Sequence, residues 1–322
     1  MKGIKNIGNT CYINCILQSL AYNQIFIDYI NKHLKEIEYV INKKIDKRFI
    51  FLELYKIIKE LHIENDITSI IPTSFLKLIE QIRKESIQLQ QDSSDILQLL
   101  LDHIITFFGN NYTLNKQTDT SITNLLKLSN ENKELTFKNQ YSDLNEIFYG
   151  QKIYNITCNE CHNVEILFEV FNILNVSVNN CNTLEECFDE YFKYFKADDY
   201  KCEKCKSQNV IHKYYIWELP KTLTIALKRF NNNSTKLNNL IKFSANFSLN
   251  KYIWNYSESI DTNNNYSLYS VINHYGNLNR GHYTSIINNN NKWYVMDDDN
   301  ISEIRYDTVN SSDNYIIFYN MD

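Results

Sequence analysis

The chain has 322 residues, 43% of them apolar, and a net charge of −5. That length supports one large domain or two to three subdomains around a real core. Mild acidity argues against nucleic acid as the main partner, and the lack of any window of about 18 apolar residues argues against a membrane span. The N-terminal MKGIKNIGNT has no signal-peptide apolar stretch. An intracellular setting, cytoplasmic or nuclear, is therefore expected, where thiols stay reduced.

The first hundred residues read mainly as helices. Thr10 is placed to cap a helix starting at Cys11, with Ile13, Ile16, Leu17 and Leu20 as its apolar stripe. Residues 48–63 and 73–83 are further helical candidates, and Pro72 sits where a helix start tolerates it. Residues 92–107 read as a helix capped by Asp92, and the polar stretch 109–145 reads as a variable connection. From about residue 150 the pattern turns to strands, at 151–161, 163–176, 209–220 and 222–230, with a short helix at 183–195. More strands follow at 266–276, 281–288, 292–298 and 314–320, and the Asn runs at 231–233, 263–265 and 288–291 read as loop filler. Helices first and sheet afterwards point to an α+β protein.

Two distant motifs carry chemistry. GNTCYIN, at 8–14, puts Cys11 at a helix start, where unpaired N–H groups and the helix dipole favour a thiolate. Asn6 and Asn9 lie just upstream, and either amide can donate to an oxyanion. A buried structural cysteine is the plain alternative, and it is the reading for Cys15 one turn later. A Cys11–Cys15 metal pair is disfavoured. Far downstream, NRGHYTS holds His282 after Gly281, and KWYVMDDD holds Asp297, Asp298 and Asp299. His274 ends the preceding strand of an expected hairpin, so either histidine can approach Cys11. Gly281, which permits close backbone approach, and the carboxylates that follow favour His282. Asp297 reads as the inward acid that orients the imidazole, with Asp298 as a helper, against the plain reading of a solvated turn. Thiol, imidazole and carboxylate are the parts of a thiol hydrolase.

Two C-x-x-C units, Cys158 with Cys161 and Cys202 with Cys205, can supply four thiolates to one tetrahedral structural zinc. Such a site is closed, so no catalytic cofactor is expected. Two redox motifs are the alternative, without a thioredoxin-like pattern to support them. Cys181 and Cys187 read as structural.

Together these segments resemble the catalytic domain of the ubiquitin-specific proteases, papain-like deubiquitinases. The resemblance rests on GIKNIGNTCYINCILQSL at 3–20, QQDSSDILQLLLDHI at 90–104, FYG at 148–150, both C-x-x-C units, LPKTLTIALKRF at 219–230 and the histidine segment with its strands. It spans essentially the whole chain. It implies a thumb–palm–fingers fold with a zinc-tipped β extension: one catalytic domain over 1–322, with thumb and connection at 1–145, fingers at 146–218 and palm at 219–322. It implies Cys11 as nucleophile, His282 as base, Asp297 as its orienting acid and Asn6 as the oxyanion amide. Asp92 and Asp95 match acidic positions that grip arginines of the ubiquitin tail, and Tyr283 would line the channel for the terminal glycines. The implied partners are ubiquitin and ubiquitinated proteins, and the implied reaction is isopeptide cleavage through a thioester. The chain departs from the family at Asp95-Ile96, where Glu-Phe is usual, and at Ser93, where Ala is usual. No accessory domain is expected before Gly3 or after Tyr319. A protease for a ubiquitin-like modifier and a catalytically silent ubiquitin-binding module are the other readings; a zinc-ribbon nucleic-acid binder conflicts with the charge.

Overall fold

Every residue of the helix Cys11–Ala21 is buried, and the first of two main cores is built around it. The computed structural model describes residues 1–43, 50–111, 121–138, 140–197, 199–231, 233–254, 264–277 and 280–322. Ile13, Ile16, Leu17 and Leu20 share one core with the helices Ile50–His62, Thr73–Arg83 and Ser93–Phe108. Polar side chains tie the same helix down: Gln18 Nε2 donates to the Lys2 carbonyl at 3.1 Å, and Ser19 Oγ meets Ser270 Oγ at 2.9 Å. The helix starts where expected, but Thr10 does not cap it with its side chain. Thr10 Oγ1 instead accepts from the Ile7 N–H at 3.2 Å, and its carbonyl closes the first turn by accepting from Ile13 and Asn14.

Asp92 does cap its helix, accepting from the Ser94 N–H at 2.8 Å. Residues 48 and 49 of the second candidate helix lie outside the described residues. The stretch 109–145 is not simply a connection. It holds the helix Ser121–Phe137 and the start of the helix Asp143–Phe148. The first was hidden because its contacts are scattered: Leu125 packs beside Phe168 and Trp217, Phe137 against Tyr149, and Leu126, Leu128 and Leu135 stay exposed. Residues 112–120 and 139 of that stretch lie outside the described residues.

An eight-stranded sheet runs in the order Asn300–Ile304, Lys292–Asp297, Gly281–Asn289, Asn265–Gly276, Asn314–Met321, Thr222–Lys228 and Leu174–Ser177, with Asn246–Ser248 pairing on Asn265–Gly276. Alternation along its strands serves two cores. Ala226, Ile272, Ile316 and Phe318 face the helical core, while Ile225, Val271, Ile317 and Tyr319 face a second one completed by Phe188 and Phe247. A separate three-stranded antiparallel sheet, Val164–Phe171, Gly150–Cys158 and Val210–Glu218, carries the C-x-x-C turns at one end. The expected hairpin pairs Tyr275 with His282. The downstream Asn run is not filler: Asn290 and Asn291 turn the next hairpin at φ 53° and 61°, a left-handed conformation that Asn tolerates. Asn232 and Asn263 of the other runs lie outside the described residues. No described helix is long and apolar enough to cross a membrane.

Candidate active site

Cys11 opens the central helix, His282 is the second residue of its strand, and Asp297 ends the neighbouring strand. The sheet and helix bring all three together. His282 Nε2 lies 2.6 Å from Asp297 Oδ1. The Cys11 thiol lies close enough to act on the same imidazole. The Cys11 contact first, and Asp297 with it, hold His282 up at about 9 against the opposing effect of burial. His274 is not placed for this work. Its ring packs against Phe230, Tyr283 and Tyr315, and burial with nearby Lys236 pushes it down to about 4. Gly281 makes room for that ring: a Cβ there would stand 2.1 Å from His274 Nε2.

The two aspartates divide differently from expectation. Asp297, expected to be the inward acid, has a side chain 50% exposed. Asp298 is the inward one, because a left-handed backbone at φ 53° turns its carboxylate under the cysteine helix. Its Oδ2 accepts from Asn6 Nδ2 at 3.0 Å and its Oδ1 from Asn14 Nδ2 at 2.8 Å. Its carbonyl accepts from the Ile4 N–H at 3.0 Å, and burial raises its carboxyl above the usual range. Asn6 is fixed at its other end as well, Oδ1 accepting from the Thr10 N–H at 3.0 Å. Asn9, the alternative amide, donates to the Gln88 carbonyl and is turned away. Asn14 was missed from sequence; the available signal was its position one turn after Cys11 on the same helix face.

A channel of about 160 Å³ reaches Cys11 between Tyr12, Gln90, Asp92, Phe230 and Tyr283. Burial pushes the Tyr283 phenol far above its ordinary range. Asp92 has its own duties, capping its helix through Oδ1 and accepting from the Tyr315 hydroxyl through Oδ2. Asp95, one turn on, is exposed, and partial desolvation beside Asp92 raises its carboxyl. Ile96, in place of the family's aromatic, is buried in the helical core, and Ser93 is buried too. Gln98 and Asp102 extend the Asp95 stripe along the helix into a larger cleft of about 640 Å³, walled opposite by Lys152 and Phe171.

The four paired cysteines converge. Cys158 Sγ lies 3.5 Å from Cys205 Sγ, Cys161 Sγ lies 3.6 Å from Cys202 Sγ, and all four lie within 4.8 Å of one another. Tetrahedral thiolates at about 2.3 Å from an ion stand roughly 3.8 Å apart, so the set fits a metal ion. The two turns are built alike: the Cys158 carbonyl accepts from His162 at 3.0 Å and the Cys202 carbonyl from Lys206 at 2.8 Å, both donors being left-handed. Backbone N–H groups of Cys205 and Lys204 lower the Cys202 thiol to about 7, while the neighbouring Cys161 and Cys158 thiols raise Cys205. Cys181 and Cys187 are buried elsewhere, in the second core.

Comparison with known proteins bears on the family and the fold. The family model for ubiquitin carboxyl-terminal hydrolases matches residues 2–319. Ubiquitin carboxyl-terminal hydrolase Usp2 of Drosophila melanogaster is 28% identical over 336 residues, covering 98% of this chain and 34% of its own length. Ubiquitin carboxyl-terminal hydrolase 2 of Homo sapiens is 27% identical over 342 residues, covering 100% of this chain and 55% of its own length. The chain thus spans about a third to a half of the length of these two relatives. The solved SAGA Ubp8/Sgf11/Sus1/Sgf73 DUB module bound to ubiquitin aldehyde superposes with a TM-score of 0.79 at 24% identity, over 100% of this chain and 70% of that one. A second structure of that module, bound to monoubiquitin, gives 0.76 at 23% identity. At such identities the likeness speaks for the fold, which is the α+β thumb–palm–fingers fold of Ubp8. By its matched family model, the chain belongs to the ubiquitin carboxyl-terminal hydrolase family.

Proposed function

We propose that this chain is a cysteine hydrolase that cleaves the isopeptide bond after the C-terminal glycine of ubiquitin. The observation that carries the reading is the meeting of Cys11, His282 and Asp297 beside a channel, with His282 Nε2 2.6 Å from Asp297 Oδ1. His282 takes the Cys11 proton and the thiolate attacks the scissile carbonyl. Asn6, held by Asp298 and Thr10, offers its amide to the oxyanion as the carbonyl becomes tetrahedral. His282 then passes its proton to the leaving lysine amine. Water, activated by the same imidazole, hydrolyses the thioester. Asp297 keeps the Nε2 side of the ring oriented throughout.

Tyr283 is one wall of the channel, along which the terminal glycines of the tail would lie. The exposed carboxylates of Asp95 and Asp102, with Asp92 behind them, suit a basic tail approaching the channel. Residues 1–145, 146–218 and 219–322 serve as thumb with connection, fingers and palm of one catalytic domain. Zinc is the ion whose chemistry matches four thiolates, and when bound it cross-links the two finger turns without an open coordination position. A silent ubiquitin-binding module is disfavoured because the three reacting groups are in register. A protease for a ubiquitin-like modifier is the remaining alternative. A panel of C-terminal electrophiles separates the two: reaction with ubiquitin in preference to its relatives supports the reading, and preference for a relative replaces it.

A further inference from the structure

The segment 84–92 lines the channel with Gln90, Gln91 and Asp92 and is tied to both sides of it. On the Cys11 side, Asn9 Nδ2 donates to the Gln88 carbonyl and Gln88 Nε2 donates to the Ile7 carbonyl at 3.4 Å. On the opposite side Gln90 reaches the residue before His282. The Gly281 N–H donates to Gln90 Oε1 at 2.8 Å, and Gln90 Nε2 donates to the Gly281 carbonyl at 2.7 Å. A carboxamide making both bonds presents the donor and acceptor that a peptide group of an adjacent strand would present. The strand edge at Gly281 is available for such a partner. Gly281–Asn289 is in register with Lys292–Asp297 from Ser285, opposite Met296, onward, so residues 281–284 run past the last pair among the described residues. Gln90, Gly281 and Cys11 all line the same channel.

We infer that Gln90 is a latch holding the place of the substrate's backbone. In the free chain its side chain occupies the Gly281 edge that an extended tail takes on entering, so entry exchanges one amide group for another. The inference rests on the hydrolase reading. Two features suit a latch that must release. Both bonds are exposed, and exposed hydrogen bonds are given up to water at small net cost. Gly281 can offer only its backbone here, since its Cα is packed against the His274 ring. The latch also sets a specificity. A tail recovers both bonds only if it is extended and carries a free N–H and C=O at that position, which excludes proline there.

Gln90→Met keeps the side-chain length and removes both bonds, and Gln90→Ala removes the side chain. Both variants are predicted to be labelled at Cys11 by ubiquitin carrying a C-terminal electrophile roughly three- to tenfold faster than the unaltered chain. Iodoacetamide, which needs no strand edge, should label all three at rates within about twofold. Variants labelled by the ubiquitin probe at the unaltered rate or more slowly overturn the latch and leave Gln90 a brace. A parallel rise with iodoacetamide also overturns it, because the site has then merely loosened. If the unaltered chain takes no ubiquitin label, the hydrolase reading itself fails and the latch goes with it.

Discussion

At the scale of single residues, two neighbouring aspartates are separated by one backbone angle. Asp297 stays half-exposed and pairs with His282, while Asp298 turns inward and is shared by Asn6 and Asn14. The consequence for pH follows from the direction of the His282 shift. Its folded value, about 9, lies above its ordinary one. The bound proton therefore contributes stability that is whole below about pH 6.5 and is lost as the pH rises toward the folded value. Asp297→Asn removes a contact that helps hold the proton. In that variant the alkaline limb of the kcat/KM profile should move to lower pH, with activity reduced at every pH. A limb that stays in place would separate Asp297 from the imidazole's protonation. Cys11, His282 and Asp297 were legible in the sequence because each sits in a distinctive local context. The inward turn of Asp298 was not, since it depends on a left-handed residue meeting an amide 292 positions away.

At the scale of elements, the helix Ser93–Phe108 runs from the channel beside Asp92 to the larger cleft at Gln98 and Asp102. Its N-terminus is fixed by Asp92, which is also held by Tyr315. Its exposed stripe of Asp95, Gln98 and Asp102 leads from the channel mouth into the larger cleft. Recognition of a basic tail should therefore fall more on Asp95 than on the internally bonded Asp92. Asp95→Asn is predicted to raise KM severalfold with little change in kcat, measured with a ubiquitin substrate in steady state, since a partly exposed ion pair contributes on the order of 1 kcal/mol or less. Unchanged kinetics would remove Asp95 from tail recognition. The helix and its cap were readable from periodicity and from the Asp-Ser-Ser start. The helix Ser121–Phe137 was not, because its apolar residues are anchored in separate small contacts, Leu125 beside Phe168 and Trp217 and Phe137 against Tyr149, with Leu126, Leu128 and Leu135 exposed. Asn290 and Asn291 were hard to distinguish from compositional bias until their left-handed turn was visible.

At the scale of the whole molecule, one sheet separates two cores, and the cysteine helix lies within the first. The three-stranded sheet with its four cysteines stands apart from the reacting groups and has its own small clusters. Metal removal should thus act on the projecting sheet before it acts on Cys11. Chelation, or Cys202→Ser, is predicted to release about one zinc per chain and to weaken ubiquitin binding, while iodoacetamide still reacts with Cys11. Metal analysis with parallel thiol labelling checks this; a folded, fully active chain without metal would contradict it. The order of parts was legible because helical and alternating patterns occupy different halves of the chain. The contacts of Asp298 with Asn6 and Asn14, from opposite ends of the chain, required the structure.

The most direct measurement is mass analysis of the purified chain after incubation with ubiquitin carrying a C-terminal electrophile. The structure predicts one covalent ubiquitin, attached at Cys11 and lost in Cys11→Ala and strongly slowed in His282→Ala. A folded chain that forms no adduct, or forms one at any other cysteine, would contradict the assignment of Cys11 as the nucleophile of a ubiquitin hydrolase.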